Sequence, residues 1–369
     1  MVPIVERMVW NERTRFLITA CGIAFLVILM FFLGEVYEGV KAGSVGYIRQ
    51  TGADLWICQK NSTNLLRSSS FLPVAAGSAI RKIRGVRETS GILRVLCTTR
   101  IGGGPVTLFL CGFDPDSPLG SPLSLKEGTP SIRSGEIIID QAFAAKHGLH
   151  AGDSLDIQER RFRIAGICRG TNAVVAQFAF TTIESAQALL GFGGVASFFL
   201  VKGDGSVGSR ALLDSVKLAC PAWSVFSKAE FVENTLTEMK TGVLPILWTV
   251  AVMGCVVGVA VMMLMLYGSV FEKREDYALL KALGASHRFL TLLVIRKAVM
   301  CGLLGFVLGF LLNRLFNPLL IRLVPELCLE FRWSLAGTLL SASLAIGVLG
   351  SWLSIVKVVR FSPAEVFRA

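Results

Sequence analysis

Charged residues are scarce in this chain of 369 residues, where Asp, Glu, Lys and Arg together make up 17%. In typical soluble domains these four residues make up about 25% of the chain. The shortage is uneven, because long apolar runs lie near the N-terminus and in the last third, while the middle has an ordinary composition. The mean hydropathy is +0.62. This pattern predicts one membrane region and one water-soluble insert.

Motifs that carry common chemistry are also missing. The sequence has no Gly-x-x-x-x-Gly-Lys-Ser/Thr segment, which excludes ATP binding by a phosphate loop in this chain. Its three histidines lack a metal-ligand spacing, and its nine cysteines include no Cys-x-x-Cys pair. We therefore expect no catalytic residues and no metal site. The net charge of +11 is attributed in part to a basic collar at the membrane and does not indicate nucleic-acid binding.

The apolar runs predict four transmembrane helices. Phe16 to Leu33 contains no charged residue, and its length suits a bilayer core of about 30 Å. Further runs cover Thr241 to Phe271, the stretch after Lys297 up to Ile321, and Ser334 to Val356. A cleaved signal peptide is the alternative for the first run, although this run is longer than the usual apolar region of about 7–15 residues.

Basic residues set the expected orientation, because Lys and Arg concentrate in cytoplasmic loops. They cluster in the N-terminal tail, in the second connection and at the C-terminus, whereas the third connection offers only Arg322 and Arg332, offset by Glu326 and Glu330. Both termini are therefore predicted to be cytoplasmic. The predicted divisions are 1–40 (tail and first span), 41–240 (outer domain with stalk), 241–271 (second span), 272–289 (coupling segment), 290–324 (third span), 334–358 (fourth span) and 359–369 (tail).

The outer segment is predicted to be an α+β domain. Its expected elements are a helix at Val74–Arg84, strands at Ile92–Thr99 and Val106–Cys111, a strand and helix at Gly135–His147, and a hairpin at Gly152–Ile167. Phe231 to Phe271 is predicted to form one helix about 60 Å long. With an extended first helix that continues towards Tyr47, it would form a stalk between the membrane and the domain.

The connection from Glu272 to His287 is predicted to hold a short amphipathic helix. Tyr277, Leu280 and Leu283 share one face, and Gly284 and Ser286 are suited to end this helix and to cap the next one. Such an apolar face is buried either against a partner or, as the alternative, on the chain's own helices or the lipid surface.

These segments resemble a known family. The stretch Arg274 to Ser286 is similar to the coupling-helix signature of the FtsX-like/MacB-like permeases of ABC transporters. Ser362–Arg368 resembles the family's C-terminal ending, and Gly135–Ile167 resembles its extracytoplasmic core. The segment Ala53–Trp56 and the serine-rich stretch after it are closer to the DevC and HrtB branch than to the lipoprotein-releasing branch.

The resemblance implies a multi-pass protein of the bacterial cytoplasmic membrane that works as a homodimer with two separate ATPase subunits. ATP and Mg are expected on the ATPase, with no cofactor on this chain. A membrane-fusion adaptor and membrane lipid are further expected partners. The family transmits ATP-driven motion to its outer domain (mechanotransmission). The residues that match its ATPase-coupling motif are Arg274, Glu275, Tyr277, Ala278, Leu279, Leu280, Ala282, Leu283 and Gly284.

A mixed apolar and polar surface marks the outer end of the first span. The candidate substrate groove consists of Phe31, Phe32, Glu35, Tyr37 and Glu38, a combination suited to an amphiphile. An interfacial belt is the alternative.

Polar and small residues also stand out within the spans. Arg314, Asn313 and Asn317 are interpreted as snorkelling residues or as substrate contacts. The spacings Gly254-x-x-x-Gly258 and Gly305-x-x-x-Gly309 indicate close helix packing, including a candidate face between two copies.

Three functions stay open from the sequence. The first is export or extraction of an amphiphile such as a lipid, a haem-like molecule, a drug or a peptide. The second is a regulatory permease that activates an extracellular cell-wall hydrolase without moving a substrate. The third is a membrane-anchored binding module that has no ATPase.

Overall fold

The computed structural model describes residues 13–101, 104–173, 177–271 and 274–360. The chain divides into two compact units. The helical unit comprises Met1–Glu38, Ile246–Leu320 and Leu329–Ala369, and the α+β unit comprises Gly39–Pro245 and Ile321–Cys328. Most of the N-terminal tail and the C-terminal motif, as well as Gly102 and Gly103 between two predicted strands, lie outside the described residues.

The secondary structure follows the expected order of one helix, a mixed region and further helices. The helices are α1 (Arg13–Gln50), α2 (Ala76–Arg81), α3 (Gln141–His147), α4 (Ile183–Leu190), α5 (Ser209–Ala219), α6 (Lys228–Thr241), α7 (Leu244–Phe271), α8 (Arg274–Ala282), α9 (His287–Leu323) and α10 (Trp333–Arg360). The strands are β1 (Leu55–Gln59), β2 (Leu72–Pro73), β3 (Val86–Ile101), β4 (Gly104–Phe113), β5 (Leu125–Gly128), β6 (Glu136–Asp140), β7 (Ser154–Ile157), β8 (Arg160–Cys168), β9 (Gln177–Thr182), β10 (Val195–Ala196), β11 (Phe198–Gly203) and β12 (Trp223–Ser227).

Three helices are long and apolar enough to cross a membrane in the part of the chain that the structure describes. They cover Phe16–Gln50, Leu244–Val261 and His287–Leu323. The helix α10 contains a shorter apolar stretch, Trp333–Ala345. The fourth span therefore stays a prediction.

The helical unit is built around α1. Ile23, Val27 and Phe31 are almost fully buried and pack with residues of α9 and α10. A Cβ at Gly305 or Gly309 would lie closer than 3 Å to side-chain atoms of Ile23 or Val27.

The second glycine pair also faces α1, because a Cβ at Gly258 would overlap Leu26 and one at Gly254 would contact Leu29. Both glycine motifs thus pack within the chain. The predicted close helix packing is confirmed, with α1 as the neighbouring helix, and a face between copies at these motifs stays a prediction.

The predicted single helix from Phe231 to Phe271 is interrupted. α6 ends at Thr241, Gly242 leaves helical geometry at φ −100° and ψ −86°, and α7 begins at Leu244. Pro245 explains the break, because proline lacks an amide hydrogen and its ring collides with the carbonyl four residues earlier in a continuous helix. Proline is tolerated in a first turn, where no intrahelical donor is needed.

The α+β unit is organised by a mixed sheet with the strand order β12-β1-β11-β3-β4-β9-β6-β8-β5, and β7 pairs with β3 and β8. The predicted strand and helix at 135–147 and the hairpin of β7 with β8 are confirmed. The predicted helix at 74–84 is shorter at both ends and covers Ala76–Arg81, while Val74, in the turn after β2, donates its amide to Gly194 O. Trp56 and Phe231, stacked at 4.6 Å, anchor α6 onto the sheet.

Candidate functional site

The helix α8 has the predicted local geometry. Gly284 adopts φ +92°, a left-handed conformation that favours glycine, and its amide donates to Lys281 O at 3.1 Å. Ala285 N donates to Leu280 O at 3.0 Å. Ser286 Oγ then accepts the amide hydrogen of Phe289 at 3.3 Å. The predicted end of the helix and the predicted cap of α9 are both confirmed.

Apolar side chains of α8 and its C-terminal end face solvent. Leu279 is 52% exposed and Leu283 is 77% exposed. Glu275 and Ala282 are also exposed, and Leu280 is half-buried. The side chains of Arg274, Tyr277 and Ala278 lie outside the described residues. Neighbouring exposed leucines on a short helix are typical of a surface that binds another molecule.

A groove of about 330 Å³ lies within the helical unit. Its lining is mainly apolar and comes from α1, α7 and α10: Met30, Leu33, Gly34, Tyr37, Glu38, Leu247, Trp248, Ala251, Leu335 and Leu339. Tyr37 and Glu38 of the predicted groove are among these residues. Glu38 Oε2 also lies 3.2 Å from Nη1 of Arg332, which is itself outside the lining.

The other predicted groove residues lie elsewhere. Phe31 is buried, with its ring centroid 5.9 Å from that of Phe306 and 5.6 Å from that of Phe310. Phe32 is half-buried and does not line the groove. Glu35 is fully buried on another side of α1.

Glu35 forms a polar cluster with α9. Its Oε1 accepts from Asn313 Nδ2 at 3.1 Å and lies 3.5 Å from Arg314 Nη1. Its Oε2 accepts from Asn317 Nδ2 at 2.6 Å. The guanidinium of Arg314, which is half-exposed, lies 4.3 Å from the ring centroid of Phe331. Asn317 Oδ1 is buried and has no hydrogen-bond partner among the described residues.

This cluster replaces the earlier interpretation of Asn313 and Asn317, which bind a carboxylate of their own chain. An ionisable side chain inside a span is costly unless it is paired, so the three donors stabilise Glu35 and join α1 to α9. The sequence held a usable signal. Asn313 and Asn317 are four residues apart and share a helix face, and an acid in another apolar helix is the natural partner of such a pair.

Most of the cysteines are buried. All nine are free thiols, and no group of three potential ligands is placed to hold a metal in that part of the chain. Burial raises the pKa of Cys58, Cys111 and Cys168 to about 12 and that of Cys97 to about 11. These thiols are protonated at neutral pH and are poor nucleophiles.

Comparison with known families identifies the architecture. Residues 16–217 match the family model of the MacB-like periplasmic core domain, and residues 248–363 match that of the FtsX-like permease C-terminal region. The chain belongs to the FtsX-like/MacB-like permease family. The resemblance inferred from the coupling helix and the core segment is thereby confirmed.

Full-length relatives of this permease occur in Mycobacterium tuberculosis. Strains CDC 1551 / Oshkosh and ATCC 25618 / H37Rv each carry an uncharacterized ABC transporter permease that is 23% identical over 372 residues, with 98% of this chain and 97% of the relative covered. The chain is accordingly a membrane permease of the FtsX/MacB type. A permease of an ABC transporter implies an ATPase partner, and such a subunit is generally not catalytic itself.

Solved structures that are similar cover about half of the chain. The periplasmic region of MacB from Actinobacillus actinomycetemcomitans is 14% identical, with a TM-score of 0.40, and 49% of this chain and 92% of that chain are covered. The extracellular domain of YknZ, an ABC-type transporter from Gram-positive bacteria, is 13% identical, with a TM-score of 0.37 and coverages of 47% and 98%. Both TM-scores are low, so the family assignment rests on the sequence matches.

Proposed function

We propose that this permease binds a separate ATPase through α8 and uses ATP-driven motion to extract an amphiphile from the membrane. The observation that carries the proposal is the exposure of Leu279 and Leu283 on a short helix between two candidate spans. Two copies of the permease would bind two ATPase subunits. The ATPase would hold ATP and Mg, and the α+β unit would respond to its closure by mechanotransmission.

Energetics favour a protein partner for α8. A helix of nine residues is unstable alone in water, because isolated helices shorter than about 12–15 residues are marginal. Full burial of one leucine contributes about 1.5–3 kcal/mol. An ATPase groove that covers Leu279 and Leu283 would therefore stabilise both the helix and the complex.

The groove favours an amphiphile over the regulatory alternative. A volume of about 330 Å³ lies at the lower end of ligand pockets, which span about 300–1,000 Å³. The apolar lining suits a hydrocarbon chain, and Glu38 in the lining, paired with Arg332, suits a polar head. A permease that only activates a cell-wall hydrolase has no need of such a groove.

The exposed face of α7 supports the proposed homodimer. Trp248, Met253, Val256, Val257 and Leu264 are each more than 60% exposed. This helix has no charged residue, so lipid or a second copy must cover that face. A second copy would bury part of it and leave the remainder to lipid.

The coupling role is tested by Leu283→Asp in the permease co-expressed with its ATPase. Because Leu283 is exposed in the permease, this change should leave insertion intact. It removes the burial energy and places a charge in the contact, so we expect at least about a hundredfold weaker binding, at 1.4 kcal/mol per factor of ten. Gel filtration should show loss of the ATPase.

The matched control is Leu218→Asp, at another exposed leucine on α5, for which we expect full ATPase retention. A Leu283→Asp permease that retains its ATPase as well as this control does would refute the docking surface.

The groove is tested by filling it. Ala251→Trp occupies the lining, whereas Val250→Trp changes an exposed neighbour outside it. In nanodiscs that contain the ATPase complex, we expect a lauroyl lysolipid to stimulate ATP hydrolysis by the wild type and by Val250→Trp, but not by Ala251→Trp. Equal stimulation of all three proteins, or of none, would contradict amphiphile extraction.

A further inference from the structure

The outer half of α1 carries a seam of glycines at Gly39, Gly43 and Gly46. A Cβ at Gly39 would overlap the carbonyl oxygen of Cys328, and one at Gly43 would overlap that of Asn172. At Gly46 the overlap would be with the carbonyl oxygen of Gly170. Backbone from two distant parts of the chain therefore packs directly on one helix face, an approach that only glycine allows.

Glu326, two residues before Cys328, binds the α+β unit through both its side chain and its backbone. Its Oε2 lies 2.8 Å from Lys146 Nζ, and its Oε1 accepts from Gln177 Nε2 at 2.9 Å. Its backbone oxygen accepts from Asn172 Nδ2 at 2.9 Å. Asn172 O in turn accepts from the thiol of Cys328 at 3.7 Å. Asn172 thus takes part in both the glycine seam and the Glu326 contacts.

These contacts belong to the connection between α9 and α10. Only two residues separate Leu323, the end of α9, from Glu326, and four separate Cys328 from Trp333, the start of α10. The five steps from Cys328 to Trp333 span at most about 18 Å. The connection therefore has little slack on either side of its attachment.

We propose that residues 321–328 form a strap that transmits movement of α9 and α10 to the α+β unit. The proposal rests on the proposed ATP-driven motion, and it assigns a mechanical role to α9 and α10 as well as to α1. Glu326 and Asn172 act as positioning residues, and Gly39 allows the strap to seat on α1.

Loss of the Lys146–Glu326 ion pair alone is expected to have a small effect on the strap. Lys146 and Glu326 are 42% and 29% exposed, and exposed pairs change an equilibrium by roughly fivefold at most. A change in the glycine seam is expected to have a larger effect, because a methyl group at Gly39 collides with backbone and not with a flexible side chain.

The test follows the α+β unit during ATP binding. Spin labels at Ser206 in the two copies of the permease–ATPase complex report a nucleotide-dependent change in distance. We expect Gly39→Ala to lose most of this change while it retains the ATPase in gel filtration. Gly52→Ala, where a Cβ meets only Leu119 at 3.6 Å, should behave as wild type.

A charge reversal provides the second arm, in case Gly39→Ala does not fold. Glu326→Lys should reduce the change in distance several-fold, and Glu326→Lys combined with Lys146→Glu should restore it. A wild-type response in Gly39→Ala or in Glu326→Lys, or no recovery in the double variant, overturns the strap while the proposed function stands. No ATPase retention or no response in the wild-type complex overturns both.

Discussion

Two connections flank α9, and they differ in how their side chains are satisfied. The connection before α9 leaves Leu279 and Leu283 exposed. In the connection after α9, Glu326 pairs with Lys146, and Arg332 pairs with Glu38 on α1. The first connection is thus suited to a separate protein, whereas the second already has its partners in the same chain.

The permease thus combines a docking surface in the connection before α9 with an internal attachment in the connection after it. Exposed leucines contribute binding energy only when another surface covers them. Paired charges and backbone contacts fix position without requiring a second molecule. Changes in the second connection should therefore alter the permease itself, and changes in the first should alter its complex.

Replacement of Glu35, which holds α9 and the end of the second connection, is expected to have the largest effect on the stability of the permease. Glu35 holds α9 through its carboxylate, and its backbone oxygen accepts Glu330 N at 3.2 Å at the end of the second connection. Glu35→Ala leaves the buried amides of Asn313 and Asn317 without their acceptor. At about 1–3 kcal/mol for each unsatisfied buried group, we expect a loss of at least about 2 kcal/mol. Thermal unfolding in mild detergent should show a clear fall in Tm.

Glu275→Ala, at the exposed start of α8, is the control and should leave the Tm unchanged. An unaltered Tm for Glu35→Ala would mean that this cluster contributes nothing to the bundle.

Local signals made part of this structure predictable. The ends of α3 and α8 follow from glycines in left-handed geometry, and the membrane part of α1 follows from the apolar run Phe16 to Leu33. The spacing of Asn313 and Asn317 places both on one helix face, but it does not identify their partner Glu35, which lies 278 positions from Asn313. The break at Gly242 does not follow from the helical spacing of apolar residues, because that spacing continues on both sides of it, and Pro245 lies in the first turn of a new helix.

Leu279 tests the proposed docking surface in the connection before α9. Leu279 is already partly buried in the permease, so its further burial contributes less than that of Leu283. We expect Leu279→Asp to weaken ATPase binding by about tenfold or more, since it also inserts a charge, with no change in the Tm of the isolated permease. Titration with labelled ATPase measures the first quantity and thermal unfolding the second. A fall in Tm would indicate that Leu279 packs within the chain.

A third prediction asks whether the α+β unit and the connection before α9 face opposite sides of the membrane. In a cysteine-free background, an impermeant thiol reagent applied to intact cells should label a single Cys at Ser206 and not one at Ser286. This expectation follows from the distribution of Lys and Arg. Labelling of both positions, or of Ser286 alone, would overturn the orientation.

The smallest expected effect concerns the exposed ion pair of the strap. Lys146→Met removes its charge but leaves the hydrogen bonds of Gln177 and Asn172 to Glu326. We expect a loss of stability below about 1 kcal/mol. Unfolding in detergent, compared with Lys126→Met at the weaker Lys126–Glu127 contact of 3.6 Å, should show similar small shifts. A large loss for Lys146→Met alone would show that the charge dominates the attachment.

If the connection before α9 binds a separate ATPase, a photo-crosslinking amino acid placed at Leu283 in native membranes should capture the ATPase in high yield. The same group at the equally exposed Leu218 should capture none. ATPase captured from position 218 and not from position 283, or from neither, would contradict the account.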